Sequence, residues 1–333
     1  MEVANSSVWK VHDVSFYRII GTNPSLKLLL SVEAYPFAHE AGVFLPSTKE
    51  LFMTSNQFSD QDGNKKVQIS KVTLAGDDET PKREEVDCAD IVMGNGAVND
   101  LDNILFCVQG SKTALGGLFR MSPIPPYKAE AVVTSFYSRP FNSVNDVVIA
   151  KDGCIWFTDP IYGFEQGIRP SPSLPNQVYR YDPRTSSIRA VADGFGRPNG
   201  LCFSPDETVL YITDTDYIHG DGSKDPTRCS TIYAYDVIYR NDQPFLSNRR
   251  LFAFADVGIP DGIKCDMEGN VYSGCGDGVN VWSPGGVLLG KILVQDGVAN
   301  FCFGRGGELF ILNEHRLWKA QLNPSVRGAL LKI

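Results

Sequence analysis

The chain is expected to fold as an all-β, six-bladed β-propeller with four-stranded blades, its ring closed by strands from both termini. Three observations predict this. First, an Asn, Asp or Glu opens a short apolar run at Glu40, Asn95, Asn145, Asn199, Asp261 and Asn300, and a second apolar run follows each. Second, these anchors recur at intervals of roughly forty to sixty residues, the length of a propeller blade. Third, helical periodicity is scarce, and runs rich in Val, Ile, Phe and Tyr alternate with clusters of Gly, Pro, Asn and Asp, which is the pattern of strands and turns.

The elements follow in order. EAGVF from Glu40 pairs with LFMTS from Leu51, NGAVN from Asn95 with ILFCV from Ile104, and NDVVI from Asn145 with IWFTD from Ile155. NGLCF from Asn199 pairs with VLYIT from Val209, DGIKC from Asp261 with NVYSG from Asn270, and NFCFG from Asn300 with LFILN from Leu309. Turn pairs such as Asp152-Gly153 and Glu268-Gly269 fall between a first and a second strand, where a hairpin needs them. GLFRMSP from Gly117, QVYRYDP from Gln177, TIYAYDV from Thr231 and VNVWSPG from Val279 read as outer strands. A closed ring must complete its last blade from both chain ends, or two edges stay unpaired. SFYRII from Ser15 and LLLSV from Leu28 are the expected N-terminal strands, with RLWKAQL from Arg316 as inner partner. A pair of β-sandwiches would not repeat at this period, and a parallel β-helix repeats at roughly 20 residues per coil.

Three stretches interrupt the repeat. Residues 163–177 (GFEQGIRPSPSLPNQ) and 216–230 (DYIHGDGSKDPTRCS) each lie between the second and third strands of a blade. That connection returns over the mouth where the anchors stand, so both loops should overhang it. Residues 56–83 are polar, end in the charged run DDETPKREE, and are expected to be solvated hairpin and loop.

Composition narrows the function. The 333 residues are 43% hydrophobic and 21% charged, with net charge −8. An acidic chain lacks the basic face that nucleic acid requires. No apolar stretch is long enough to span a membrane. The N-terminal MEVANSSVWKV lacks a basic region followed by an apolar one, so no secretory signal is read there. The eight cysteines form no CxxC pair, and Cys107, Cys202, Cys265 and Cys302 sit within apolar runs as small buried residues. The expectation is one propeller domain over 1–333, cytoplasmic, with reduced thiols.

The innermost strand of each blade lines the channel, so its first residue lies at one mouth. Six oxygen-bearing side chains then converge: two carboxylates, Glu40 and Asp261, and four amides, Asn95, Asn145, Asn199 and Asn300. Such hard donors suit Ca2+, with water completing the shell. No His or Cys stands at an anchor, which argues against a zinc site built on nitrogen or sulfur. Each Asn-Gly or Asp-Gly pair alone reads equally well as an ordinary turn. His39 neighbours Glu40 and is expected to face away from it. His219 sits on an overhanging loop within reach of substrate, while His315 carries no signal. Asp159 and Asp214 are expected to stabilise strand ends, and Trp156, Trp282 and Trp318 to fill core between blades. No Gly-x-Ser-x-Gly elbow occurs, so a serine hydrolase is not indicated.

EAGVF at Glu40, VNDVVIAKDGCIWFTDP from Val144, RPNGLCFSPDETVLYITDT from Arg197 and PDGIKCDMEGNVYSG from Pro260 resemble the gluconolactonase family. It is also called the senescence marker protein 30 or regucalcin-like family, and the resemblance spans essentially the whole chain. It implies a six-bladed propeller with a divalent cation in the channel, most often Ca2+, with Zn2+ and Mn2+ as alternatives. The implied ligands are Glu40, Asn199 and Asp261, with Asn145 beside metal and substrate. One departure is EAG, where the family more often has EGP. The long loops after Tyr162 and Tyr217 look like the fungal lactonohydrolase branch.

The implied chemistry is ring-opening of a small hydroxylated lactone, with the cation as Lewis acid. Asn145 and Asn95 would bond the carbonyl oxygen or substrate hydroxyls. Asp261 would be ligand, base or both, and a ligand carboxylate is a weak base. Two other readings stand beside this one: a noncatalytic cation-binding or interaction propeller, and a related ester hydrolase or secondary-metabolism enzyme.

Overall fold

A computed structural model describes residues 8–74 and 80–333. The first residues of the chain and the start of the DDETPKREE run lie outside the described residues.

Six antiparallel blade sheets follow one another along the chain, five of four strands and one of five. Blade 1 is Glu40–Leu45, Glu50–Thr54, Ile69–Thr73 and Lys82–Val86, and blade 2 is Gly94–Asp100, Asn103–Val108, Gly117–Met121 and Ala129–Val133. Blade 3 is Val147–Ile149, Ile155–Asp159, Gln177–Asp182 and Ser187–Ala192, and blade 4 is Pro198–Phe203, Val209–Asp214, Thr231–Arg240 and Gln243–Phe254. Blade 5 is Ile263–Cys265, Val271–Cys275, Gly278–Trp282 and Leu288–Leu293. Blade 6 takes Asn300–Phe303, Glu308–Asn313 and Arg316–Gln321 from the C-terminal side and Ser25–Ser31 from the N-terminal side. The ring is thus a six-bladed propeller, closed by both ends of the chain.

The core is divided among the seams between blades. Trp156 and Val178 of blade 3 pack on Leu201 and Ile212 of blade 4. Tyr211 and Ile232 of blade 4 meet Val271 and Trp282 of blade 5. Tyr272 and Val281 of blade 5 meet Phe301 and Ile311 of blade 6, which in turn packs Phe310 and Leu312 on Phe44 and Leu51 of blade 1. The second strand of each blade is buried on both faces, so it reads as a nearly continuous apolar run rather than an alternating one. Trp156 and Trp282 fill seams, as the strand pattern indicated.

Three elements differ from the sequence reading. SFYRII forms a helix at Phe16–Ile20, not a strand. Its Phe16, Ile19 and Ile20 are buried, the i, i+3, i+4 spacing of one helix face. Trp9–Val11 adds instead a fifth strand to the edge of blade 5. The polar stretch 56–83 is more than loop: after a hairpin of Phe58–Ser59 and Lys65–Lys66 it holds the third strand of blade 1 and the start of the fourth. Among the described residues no helix is long and apolar enough to cross a membrane.

Candidate functional site

The anchors stand where they do because of three local devices. The first is the glycine after an anchor. A Cβ at Gly96 would lie 2.6 Å from the carbonyl oxygen of Asn145, one at Gly200 2.5 Å from that of Asp261, and one at Gly262 2.4 Å from Cγ of Asn300. Each Asn-Gly or Asp-Gly pair is therefore a place of close approach, where the next blade's anchor lies against bare backbone, and none of the three has positive φ. The turn reading of these pairs fails for that reason.

The second device is a hydroxyl on the second strand. Thr54 Oγ1 donates to the carbonyl of Asn95 at 3.0 Å, Thr158 Oγ1 to that of Asn199 at 2.7 Å, and Thr213 Oγ1 to that of Asp261 at 3.1 Å. Blades 1, 3 and 4 thereby each fix the anchor of the next. The third device is a polar side chain at the end of the second strand. Asp159 accepts from the backbone N–H groups of Asn142 and Ser143, and Asp214 from those of Gly196 and Arg197. Asn313 donates to the carbonyls of Gln295 and Gly297 in the corresponding segment of blade 6. These groups hold the segments that lead into Asn145, Asn199 and Asn300.

The result is a cavity of about 580 Å3 at one mouth of the channel, lined by Glu40, Asn95, Asn145, Asn199 and Asp261. Asn300 does not line it. Its amide turns to Glu40, donating to Oε2 at 2.5 Å, while its own oxygen accepts the Phe301 N–H at 2.8 Å. It positions a carboxylate rather than offering an oxygen. His219 lines the cavity from the loop of blade 4, with Nδ1 3.3 Å from the Ser223 hydroxyl.

Both overhanging loops reach the rim, through Tyr162 and Gln166 of one and residues 217–220 of the other. They are joined by Arg197, whose guanidinium binds Glu165 on the first and Asp216 on the second. Glu165 Oε2 also accepts the Gly220 N–H at 2.8 Å. The blade 1 hairpin region closes the third side, with Gln57 Nε2 donating to Gln166 at 2.6 Å.

The electrostatics of the cavity are those of negative charges crowded out of water. Burial, and then the charge of Asp261, push the Glu40 carboxyl up to about 8. Burial pushes Asp261 up to about 6, with Asp146 adding to the rise while His39 and a hydrogen bond from Asn199 oppose it. Oδ1 of Asn145 and Oδ1 of Asp261 are buried without a hydrogen-bond partner. Unpaired buried oxygens are rare, and beside two carboxylates they suit a cation. Among the described residues, no three His, Cys, Asp or Glu side chains close on one point. Amide oxygens must therefore complete any shell built on Glu40 and Asp261, and the donor set available for that is all oxygen.

Some cavity residues escaped the sequence reading. His39 lines the cavity beside Glu40 instead of facing away, because Ala41 takes positive φ (56°) and the pairing of the first two strands slips between Glu40 and Val43. Its Nδ1 lies 2.7 Å from Oε1 of Glu314, which follows the second strand of blade 6. Asn56 and Gln109 occupy the same rim. The signal was available: a second strand runs antiparallel to the first, so its end lies at the mouth where the first begins. His315 turns instead to the carbonyl of Val32.

Comparison with known proteins agrees with the fold. The family described as "SMP-30/Gluconolactonase/LRE-like region" matches residues 77–314. The lactonohydrolase oryL of Aspergillus oryzae is 30% identical over 86% of this chain and 67% of its own length. A gluconolactonase of Zymomonas mobilis is 32% identical over 60% of this chain and 56% of its own. The chain thus spans about two thirds of the first relative and little over half of the second. Among solved structures, a gluconolactonase of Xanthomonas campestris superposes with TM-score 0.74 at 27% identity, covering 94% of both chains. The chain belongs to the SMP-30/gluconolactonase/LRE-like family.

Proposed function

We propose that this protein is a cation-dependent lactonase that opens the ring of a small hydroxylated lactone. The observation that carries the reading is the buried carboxylate of Glu40 and the half-buried one of Asp261, facing one cavity with the buried, unpartnered Oδ1 atoms of Asn145 and Asp261. Family membership supports it, as do the names of the relatives. Glu40, Asn145, Asn199 and Asp261 would hold the ion, most suitably Ca2+, with Zn2+ and Mn2+ as alternatives. When bound, such an ion supplies Lewis acidity toward a lactone carbonyl and toward water.

The chain's own residues do the rest. Asn95 and His219 line the same cavity and offer an amide and an imidazole to substrate hydroxyls. The joined loops and the blade 1 hairpin narrow the mouth and so exclude bulky esters. Hydrolysis moves one proton from water to the ring oxygen, and a group within hydrogen-bond reach must carry it. Asp261 is the carboxylate nearest that task, but as a ligand it is a weak base. His39 also faces the cavity, and with Nδ1 engaged by Glu314 its other ring nitrogen is left for a reactant.

The test is hydrolysis of a panel of γ- and δ-lactones, with and without a chelator, by the native chain and by Asp261→Ala. Ring opening that stops on chelation, returns with Ca2+ and is lost in the variant is expected. Activity indifferent to both treatments sinks the cation-dependent reading. No activity on any lactone, with Ca2+ still raising the melting temperature, would favour a noncatalytic cation-binding propeller.

A further inference from the structure

The channel has a second end. There the far ends of the six innermost strands, Cys202 and Cys265 among them, enclose a small cavity of about 180 Å3 under the segment 328–332. Its wall includes Leu201, Phe203, Ala329 and Leu330. Sγ of Cys202 lies 3.6 Å from Sγ of Cys265. Among the described residues this is the one contact between two thiols, and all eight cysteines are free.

We propose that Cys202 and Cys265 form an oxidant-driven cross-link, a dithiol that closes to a disulfide between blades 4 and 5. Three features argue for it. The two sulfurs already face one another at 3.6 Å, and a disulfide needs them to approach to about 2.05 Å. The strands are held close: Gly200 has no room for a Cβ against Asp261, and Thr213 bonds the Asp261 carbonyl. Both thiols line a cavity large enough for an oxidant the size of water.

The position gives the cross-link a consequence. Cys202 shares its strand with Asn199, and Cys265 ends the run that Asp261 begins. A bond between them would tie together the two strands that carry neighbouring anchors.

The step balances with hydrogen peroxide as oxidant. One thiol is oxidised by two electrons to a sulfenic acid as peroxide is reduced to water. The second sulfur attacks the first, the S–S bond forms, and the sulfenic oxygen leaves as a second water. The hydrogen bond from Cys202 and burial hold the Cys265 thiol well above its ordinary value, which keeps that thiol protonated at neutral pH.

The test treats the folded chain with hydrogen peroxide at mildly alkaline pH. Expected are the loss of two titratable thiols, an intact mass lower by two hydrogen atoms, and a linked peptide pair containing Cys202 and Cys265. The thermal midpoint should rise by several degrees and return with dithiothreitol. Cys302→Ser, whose sulfur lines the same cavity, should cross-link like the native chain, whereas Cys202→Ser should not. Sulfinic acid at either cysteine with no linked peptide overturns the proposal, as does a linkage that uses Cys302. The peptide map of the native chain decides the matter even if Cys202→Ser fails to fold.

Discussion

His39 Nδ1 and Glu314 Oε1 meet at 2.7 Å across the seam that closes the ring. One residue leads into blade 1, and the other follows the second strand of blade 6. The backbone is joined at the same place, since Ala38 N–H donates to the Glu314 carbonyl at 2.9 Å. Asn56 supports the carboxylate from the side, its amide 3.3 Å from Oε2. Glu314 holds positive φ (54°), a conformation that non-glycine residues adopt only when the surroundings enforce it. The contact thus fixes one wall of the cavity and the last seam of the propeller together.

This pair gives stability a pH dependence of known sign. Burial alone would lower the His39 pKa, but the Glu314 carboxylate outweighs it, and with Glu40 and Asp261 it raises the group to about 10. A histidine raised in the folded state contributes stability that is complete below its unfolded value, near 6.5, and is lost as pH climbs toward 10. Denaturant unfolding of the native chain and of Glu314→Gln, compared in the absence of added cation, should therefore converge between pH 7 and 10. At pH 6 the native chain should be more stable by roughly 1–3 kcal/mol, the contribution of a charge-assisted hydrogen bond. Parallel curves across that window would mean that the ring is not protonated by this contact.

The anchors should bind a cation in competition with protons. Without an ion, Glu40 is held up to about 8 and Asp261 to about 6. A carboxyl raised in the folded state binds its proton where the unfolded chain has lost it, so the ion-free protein loses stability as pH rises from about 4 to 8. A bound ion removes that penalty by favouring the ionised form. The rise in thermal midpoint caused by Ca2+ should therefore be small at pH 5.5 and large at pH 8. Equal shifts at both values would place any bound Ca2+ away from Glu40 and Asp261.

The close approach of blades 4 and 5 is open to a steric test. A methyl group at Gly200 would come within 2.5 Å of the Asp261 carbonyl and 3.1 Å of Ile263 Cγ2. Backbone must then move, at a cost of roughly 1–3 kcal/mol for overpacking. Asp261 would move with it, and Ca2+ affinity should fall roughly tenfold or more, as when a supporting contact of a metal ligand is lost. Gly285→Ala is the control, since its Cβ would meet nothing nearer than Ser283 Oγ at 3.8 Å. Gly200→Ala with native calcium affinity would separate the anchor from the spacing of the blades.

How far the sequence could be read follows from the physics of each element. The innermost strands are legible because each follows an oxygen-bearing residue and carries a short apolar run. The third strand of blade 1, Ile69–Thr73, was hidden by the polar hairpin inserted before it. Phe16–Ile20 was misread because five mostly apolar residues fit a strand as well as a helix, and only the buried positions separate the two. Glu314 is not marked by the repeat of anchors, which shows where first strands begin and not where second strands end. Asn300 was legible as an anchor but not in its role, since only coordinates show its amide turned to Glu40. The joining of both loops by Arg197 was likewise beyond reach, being a contact among three separated segments.

The residue after Glu40 poses the last question of magnitude. Ala41 is fully buried at φ 56°, the left-handed conformation that glycine adopts freely and that costs an L-residue roughly 1–2 kcal/mol. This is the position where EAG stands in place of the more usual EGP, so the departure leaves a strained backbone next to a carboxylate of the site. Replacing Ala41 by Gly would relieve the strain. It would also remove a buried methyl group, worth about 0.8 kcal/mol, and add unfolded-chain entropy of roughly 0.4–1 kcal/mol. The terms nearly cancel, so Ala41→Gly should change unfolding stability by less than about 1 kcal/mol. Ala41→Val has no such compensation, because a β-branched side chain at positive φ is a steric outlier and Ala41 is fully buried. It should destabilise by more than about 2 kcal/mol and displace Glu40, with loss of Ca2+ binding. Chemical denaturation of the two variants separates these outcomes, and a well-tolerated Val would mean that the left-handed turn at Ala41 is not required for the position of Glu40.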